Sequence, residues 1–134
     1  MSVLDDIAAA LVTADLGQDT DETQDWMVRV GYLQETPDRS ICVYFAGGPP
    51  PETAIPVGYP RVQVRVRGAP NDFNVVQQKE QAIFTFLHAG NAQSQFGTDY
   101  VYCYAQQSAA MPLGQDENRR PSLARNYKLM KSPA

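Results

Sequence analysis

The feature that most constrains the fold is a segment at residues 61–68 in which apolar and polar residues alternate without a break. The apolar positions are Val62, Val64 and Val66, and the polar positions are Arg61, Gln63, Arg65 and Arg67. Successive side chains of a β-strand point to opposite sides of a sheet, so the segment predicts a strand with a valine side and an arginine side. Other elements must cover the valine side, and we expect the arginine side to be exposed.

Further periodic segments lie on both sides of this strand. Apolar residues at helical spacing predict a helix over residues 3–16 that Gly17 closes, and a second over 72–89 that begins with a capping Asn or Asp and ends at Gly90. Alternating segments predict four more strands, at 26–33, 40–46, 98–106 and 122–130. The order helix, three strands, helix, two strands predicts an α+β fold, with a small mixed or antiparallel sheet of about five strands packed against two helices.

A proline-rich stretch interrupts this pattern at residues 47–60. Proline lacks an amide donor and fixes φ, so the stretch predicts a long, extended loop, and loops of that length are more often functional than idle. Residues 111–118 have the composition of a turn. With 134 residues, of which 43% are hydrophobic, the chain is expected to form one domain over residues 1–134.

Composition and residue spacing give little indication of a catalytic, cofactor-binding or metal site. His88, the one histidine, is expected to interact with the last carbonyls of a helix, and Cys42 and Cys103 are expected to be buried free thiols. We therefore predict no enzyme, no cofactor and no metal site. A net charge of −4 argues against a dedicated nucleic-acid binder. No segment predicts a membrane span or a signal peptide, so synthesis in the cytoplasm is expected.

The charges are unevenly distributed along the chain. Acidic residues crowd the first 25 positions, whereas basic residues collect at 61–67 and 119–131. This asymmetry suggests contact between an acidic part of one copy and a basic part of the next.

Residues 57–130 resemble the tail terminator and minor capsid proteins of long-tailed bacteriophages. The resemblance rests on a strand that ends in Arg67-Gly68, a helix that contains Ala82-Ile83 and ends in Leu87-His88-Ala89-Gly90, the segment Pro112–Arg119, and a closing strand with Arg125-Asn126-Tyr127. The family pattern resembles Pro-x-x-Gly-x-Asp-x-x-Gly-Arg, and Asn118 is taken to stand at the glycine, where asparagine also tolerates left-handed backbone angles.

The resemblance implies a virion protein at the head-tail junction, assembled in the host cytoplasm, with no catalytic residue. It would form a ring of six subunits that caps the tail tube, stops its growth and docks the filled head. Its implied partners are other copies, the tail tube protein and a head-completion or adaptor protein of the connector, with DNA only as cargo. Candidate subunit-interface residues are Arg61, Arg65, Arg67, Arg119, Arg120 and Arg125 on the basic side, and Asp19, Asp21 and Glu22 on the acidic side. Candidate tube or connector contacts are Pro49, Pro50, Pro51, Ile55 and Tyr59.

Two alternatives remain open at the level of sequence. One is a head-completion or adaptor protein on the portal side of the same particle. The other is a small cytosolic binding module that uses a face with Tyr100, Tyr102 and Tyr104 as the floor of its site. The row of arginines could meet a neighbouring subunit, DNA or solvent.

Overall fold

The structure, a computed structural model, describes residues 3–18, 26–31, 33, 38–46, 58–88, 96 and 100–131. Within these residues, two helices and six strands follow one another as α1 (Val3–Thr13), β1 (Met27–Val30), β2 (Ser40–Phe45), β3 (Arg61–Arg67), α2 (Phe73–Leu87), β4 (Tyr100–Ala105), β5 (Met111–Gln115) and β6 (Pro121–Lys131). The α+β prediction is confirmed, with one strand more than the sequence indicated.

The strands form one mixed sheet in the order β1-β2-β3-β6-β4, and β5 also pairs with β6. Only β1 and β2 are parallel; the other pairs are antiparallel. Along one edge of β6, β5 pairs with its first half and β4 with its second half, whereas β3 pairs with its other edge. The eleven residues of β6 therefore hold the sheet together.

The valine side of β3 packs in the core, as the alternation predicted. Val62, Val64 and Val66 are buried in one cluster with residues of both helices, including Ile7 of α1 and Ile83 of α2. Burial of each such side chain contributes about 1.5–3 kcal/mol of transfer free energy. The helices thus lie on the valine side of the sheet, and we call the opposite side, which carries Arg61, Gln63 and Arg65, the open face.

Helix α1 ends differently from the prediction. Asp15, not Gly17, adopts the left-handed conformation, with φ of 63°. The amide of Leu16 donates to the carbonyl of Leu11 and the amide of Asp15 donates to that of Val12, which is a Schellman motif. Gly17 instead allows a close approach, since a Cβ there would lie 2.3 Å from the side chain of Val28.

The ends of α2 also correct two expectations. Asp72 stands at the N-cap position but makes no side-chain capping bond; its carboxylate accepts a hydrogen bond from Nε of Arg39 at 2.9 Å. The imidazole of His88 does not contact the last helix carbonyls, because its Nδ1 accepts the backbone N–H of Ala105 at 2.8 Å. The side chain of His88 therefore connects the end of α2 to β4. Gly90, at which the helix was predicted to end, lies outside the described residues.

The turn predicted at 111–118 is in part a strand. Residues 111–115 form β5, which pairs with β6 and has a register shift between Pro112 and Gly114. Proline has no amide N–H to donate to a neighbouring strand. An edge strand tolerates this, because the amides on its outer side have no partner strand. The turn itself is confined to the residues that follow Gln115.

The tyrosines of β4 do not share one face. The register shifts between Tyr100 and Tyr102, so that Tyr102 and Tyr104 lie on the open face, whereas Tyr100 is buried in the core. The hydroxyl of Tyr100 donates to the carboxylate of Asp6 in α1. The proposed three-tyrosine floor of a binding site is therefore wrong.

Candidate interaction surfaces

The open face is one candidate interaction surface. None of the six strands contains an aspartate or glutamate, so all the charged side chains that the strands contribute to this face are cations. Among its side chains Tyr104 is exposed, and the half-buried ones include Arg29, Tyr44, Arg61, Gln63, Arg65, Tyr102, Asn126 and Lys128. The smaller or edge residues on the same side, Met27, Ser40, Cys42 and Ala124, are buried. The face is thus positively charged and interleaved with aromatic rings.

Two cations of the open face, Arg65 and Lys128, contact neighbouring side chains. The guanidinium of Arg65 lies 4.6 Å from the centroid of the Tyr44 ring, and its Nε donates to Oε1 of Gln63 at 2.6 Å. Gln63 in turn donates to Oδ1 of Asn126 at 3.1 Å. The ammonium of Lys128 lies 5.4 Å from the centroid of the Tyr59 ring. These contacts restrict the side chains before any partner arrives, which lowers the entropy lost on binding.

Arg67 does not belong to the exposed row that the alternation suggested. Its side chain is buried, with 5% of the residue exposed. Its Nε donates to the carbonyl of Asp38 at 2.9 Å and its Nη2 donates to Oγ of Ser40 at 3.4 Å. The expectation of an accessible interface residue is wrong here, because the guanidinium is used to fix residues 38–40 at the start of β2.

The side chain of Arg120, another predicted interface residue, is also buried and makes its contacts within the subunit. It is 4% exposed, and its Nε donates to Oδ2 of Asp116 at 2.7 Å. The same carboxylate accepts the amides of Asn118 and Arg120 through Oδ1, at 2.9 and 3.0 Å. Desolvation acts to raise the pKa of Asp116, but the bonds from Arg120 and Asn118 outweigh it and the pKa lies below its usual value. Asp116 thus organises the turn between β5 and β6.

The left-handed residue of this turn is Arg119, with φ of 62°. The left-handed backbone angle that was expected to be tolerated at Asn118 therefore lies one residue later, at Arg119. Arg119 itself is exposed. A positive φ destabilises the folded chain when the residue has a Cβ, and a glycine at this position would not have this cost.

Arg125 lies on the helix side of the sheet, because it pairs with Val64 in register. It is 2% exposed; its Nη2 donates to Oε1 of Glu80 in α2 at 3.0 Å, and its Nε lies 2.9 Å from Oε2. The ring of Phe84 covers the guanidinium at 4.0 Å. Burial raises the pKa of Glu80 above its ordinary value despite the opposing effect of Arg125. Arg125 is a core residue, and the expectation that it is open to a neighbour is wrong.

Of the remaining predicted residues, Arg61, Arg65 and Tyr59 lie together around the open face. The acidic candidates Asp19, Asp21 and Glu22 and the loop candidates Pro49, Pro50, Pro51 and Ile55 lie outside the described residues. Sequence reasoning missed Lys128, although its alternation with Tyr127 and Leu129 in the last strand was a usable signal.

A second surface lies on the helix side, along α1. A groove of about 280 Å³ runs beside this helix; Ala9, Thr13, Phe86 and Phe96 are among the residues that line it. The helix and the turn that follows it carry the acidic residues Asp5, Asp6 and Asp15 and no lysine or arginine. The two sides of the subunit therefore differ in charge.

Metal ligands and nucleophiles are the side chains on which catalytic chemistry would depend. In the part of the chain that the structure describes, no three histidine, cysteine or acidic side chains cluster as metal ligands would. Cys42 and Cys103 are buried free thiols, as predicted. Burial raises the pKa of Cys103 to about 12, and a protonated thiol is a poor nucleophile. Neither described helix has the length and hydropathy that crossing a membrane requires.

Comparison with known proteins identifies one relationship. Among curated proteins, none matches this chain. A family model described as bacteriophage tail terminator protein matches residues 10–132, which include both described surfaces apart from the first turns of α1. The chain therefore belongs to the bacteriophage tail terminator family.

Proposed function

We propose that this chain forms a ring of six subunits at the head-proximal end of the tail, where it caps the tail tube, stops its growth and docks the filled head. The observation that carries the proposal is the membership of this family together with a cationic, preorganised sheet face. Residues 1–134 act as one domain in this proposal, and the loop at 47–60 reaches the tube or the connector.

The charge distribution supports a closed ring. A cyclic ring uses heterologous interfaces, so each subunit needs two different, complementary surfaces. The open face is cationic and α1 is acidic, and they lie on opposite sides of the sheet. One subunit can therefore contact two neighbours at once. The remaining accessible candidates, Arg61, Arg65 and Arg119, are assigned to these contacts.

Disruption of the gene in the parent phage tests the role in the tail. We expect filled heads beside detached tails of abnormal, overgrown length, and rescue of normal virions when the gene is supplied in trans; electron microscopy of lysates shows both. Tails of normal length beside emptied heads would instead place the protein on the head side of the joint, as a head-completion or adaptor protein.

Charge reversal at Arg65 tests the interface. Arg65→Glu should abolish ring assembly while the monomer stays folded, because it places a carboxylate at the centre of the open face. Arg65→Lys, which keeps the charge, and Gln78→Glu, which adds a negative charge on exposed α2, serve as controls. Normal virions from the Arg65→Glu phage would refute the assignment of the open face.

A further inference from the structure

We propose that the ring closes by packing α1 of each subunit onto the open face of the next. The inference rests on the proposed ring and names the two surfaces that meet in it. The occupant of the open face is thus a second copy of this chain, contacted through the acidic helix at residues 3–13 and the turn that follows it.

Charge complementarity is the first support. The strands contribute Arg29, Arg61, Arg65 and Lys128 to the open face and no carboxylate. Asp5 is exposed in the first turn of α1 and Asp15 is exposed just beyond its end. Residues 3–16 contain no lysine or arginine, although Lys79 of α2 lies near Asp15 and donates to the carbonyl of Leu16 at 3.1 Å. Opposite charges in such an arrangement favour one register of association and disfavour face-to-face pairing of two identical sides.

The positions of the charges permit this contact as well. Arg61 and Arg65 are four residues apart on β3, which corresponds to about 13–14 Å along a strand. Asp5 lies in the first turn of α1, whereas Asp15 lies two residues beyond the end of the helix at Thr13, with φ of 63°. A helix laid along β3 can therefore place the carboxylate of Asp5 near one of these two guanidinium groups.

The shape of α1 permits close packing. Its exposed side carries Asp5, Ala9 and Thr13 at intervals of four residues, so no large side chain on this side prevents a flat surface from approaching. The groove beside it, lined by Phe86 and Phe96, has the apolar walls that suit an aromatic ring. On the open face, Tyr104 is 38% exposed and supplies such a ring.

DNA fits these observations less well. A conduit for DNA must release it, yet several cations from each of the copies in a ring would bind phosphates strongly at low salt. On the open face, Arg65 and Lys128 instead lie over the rings of Tyr44 and Tyr59, which suits a protein surface of opposite charge.

A mixing experiment tests the proposal. Arg65→Glu weakens the positive charge of the open face, and Asp5→Lys reverses the charge at the start of α1. Each variant alone should fail to complement the gene-disrupted phage. Expressed together, they should restore virions, since α1 of the Asp5→Lys chain fits the open face of the Arg65→Glu chain and the two wild-type surfaces fit each other. Arg65→Lys and Asp5→Glu are the matched controls. Circular dichroism and urea unfolding verify the fold, and Arg61→Glu replaces Arg65→Glu if the latter does not fold.

Crosslinking provides a second readout. Cysteines introduced as Ala9→Cys in one chain and Gln63→Cys in another should be joined by a short bismaleimide in purified tails, whereas two Ala9→Cys chains should not be. The natural cysteines are buried and do not compete.

The outcomes separate the two proposals. Normal complementation by each single variant, or no crosslink in tails that are correctly terminated, would overturn the packing of α1 on the open face and leave tail termination intact. If the Arg65→Glu variant lost DNA binding but still assembled, the result would overturn the packing of α1 on the open face and indicate that this face binds DNA. A disrupted gene with no effect on tail length would overturn the proposed function and this inference with it.

Discussion

Arg125 of β6 and Glu80 of α2 form an ion pair across the interface between the sheet and the helix, with both side chains almost completely buried, at 3% and 5% exposure. The ring of Phe84 covers the guanidinium of Arg125 at 4.0 Å. Removal of one partner from such a pair leaves a charge in a medium that solvates it poorly. The geometry therefore makes the two residues interdependent.

Arg125→Met should destabilise the fold by about 3–5 kcal/mol, because Glu80 is then buried without its partner. The double variant Arg125→Met/Glu80→Leu removes both charges and should regain most of this loss. Urea unfolding of the four chains of this double-mutant cycle measures the difference. Equal stability of the single and double variants would show that Glu80 does not depend on Arg125.

Arg119→Gly should stabilise the chain by about 1 kcal/mol, since glycine adopts a φ of +62° without the clash that a Cβ causes. Arg119→Ala keeps the Cβ and removes the charge, so it should give no comparable gain. Thermal unfolding of both variants checks this. A gain that is equal in the two would indicate a charge effect rather than a backbone effect.

Asp116→Asn should destabilise the chain at neutral pH and lose its effect in acid. The pKa of Asp116 is lower in the folded chain than its usual value, so its carboxylate stabilises the fold above the unfolded pKa of about 3.9, and this contribution disappears as pH falls through the folded value. Urea unfolding should show a larger difference between wild type and variant at pH 7 than at pH 3. A difference of the same size at both pH values would contradict the assignment.

Gly17→Ala should cost about 1–3 kcal/mol through overpacking. A Cβ at this position would lie 2.3 Å from Cγ2 of Val28 and 2.9 Å from the carbonyl oxygen of Trp26, so the backbone must shift. Gln18→Ala, at the exposed neighbour, is the control and should change little. Urea midpoints of the two variants provide the comparison.

Local periodicity predicted the elements of this fold well where it was strong. The valines of β3 identified a strand and its buried side, and the apolar residues of α2 identified a helix. Strand β5 was missed because Pro112 and Gly114 have the composition of a turn, and only its pairing with β6 makes it a strand. Periodicity cannot anticipate such pairing between segments that are separate in the chain.

The site residues were less predictable for a similar reason. Alternation placed Arg67 on the same side as Arg65 but could not show that Asp38 and Ser40 would bury it. The burial of Arg125 depends on Glu80, 45 residues away. One shift of register in β4 moved Tyr100 from the open face into the core. Charge pattern alone therefore identified the cationic strand and overstated how many of its arginines are accessible.

The central position of β6 has a kinetic consequence. Val64 pairs with Arg125, so the middle of the sheet joins residues far apart in the chain, and closure of such long loops makes folding slow. Until β6 inserts, β3 lacks its partner on one side and β4 and β5 have none among the described strands. An unfinished subunit therefore presents open strand edges, which favour aggregation. Substitutions in β6 are expected to slow productive folding and lower the yield of soluble chains even where the finished subunit tolerates them.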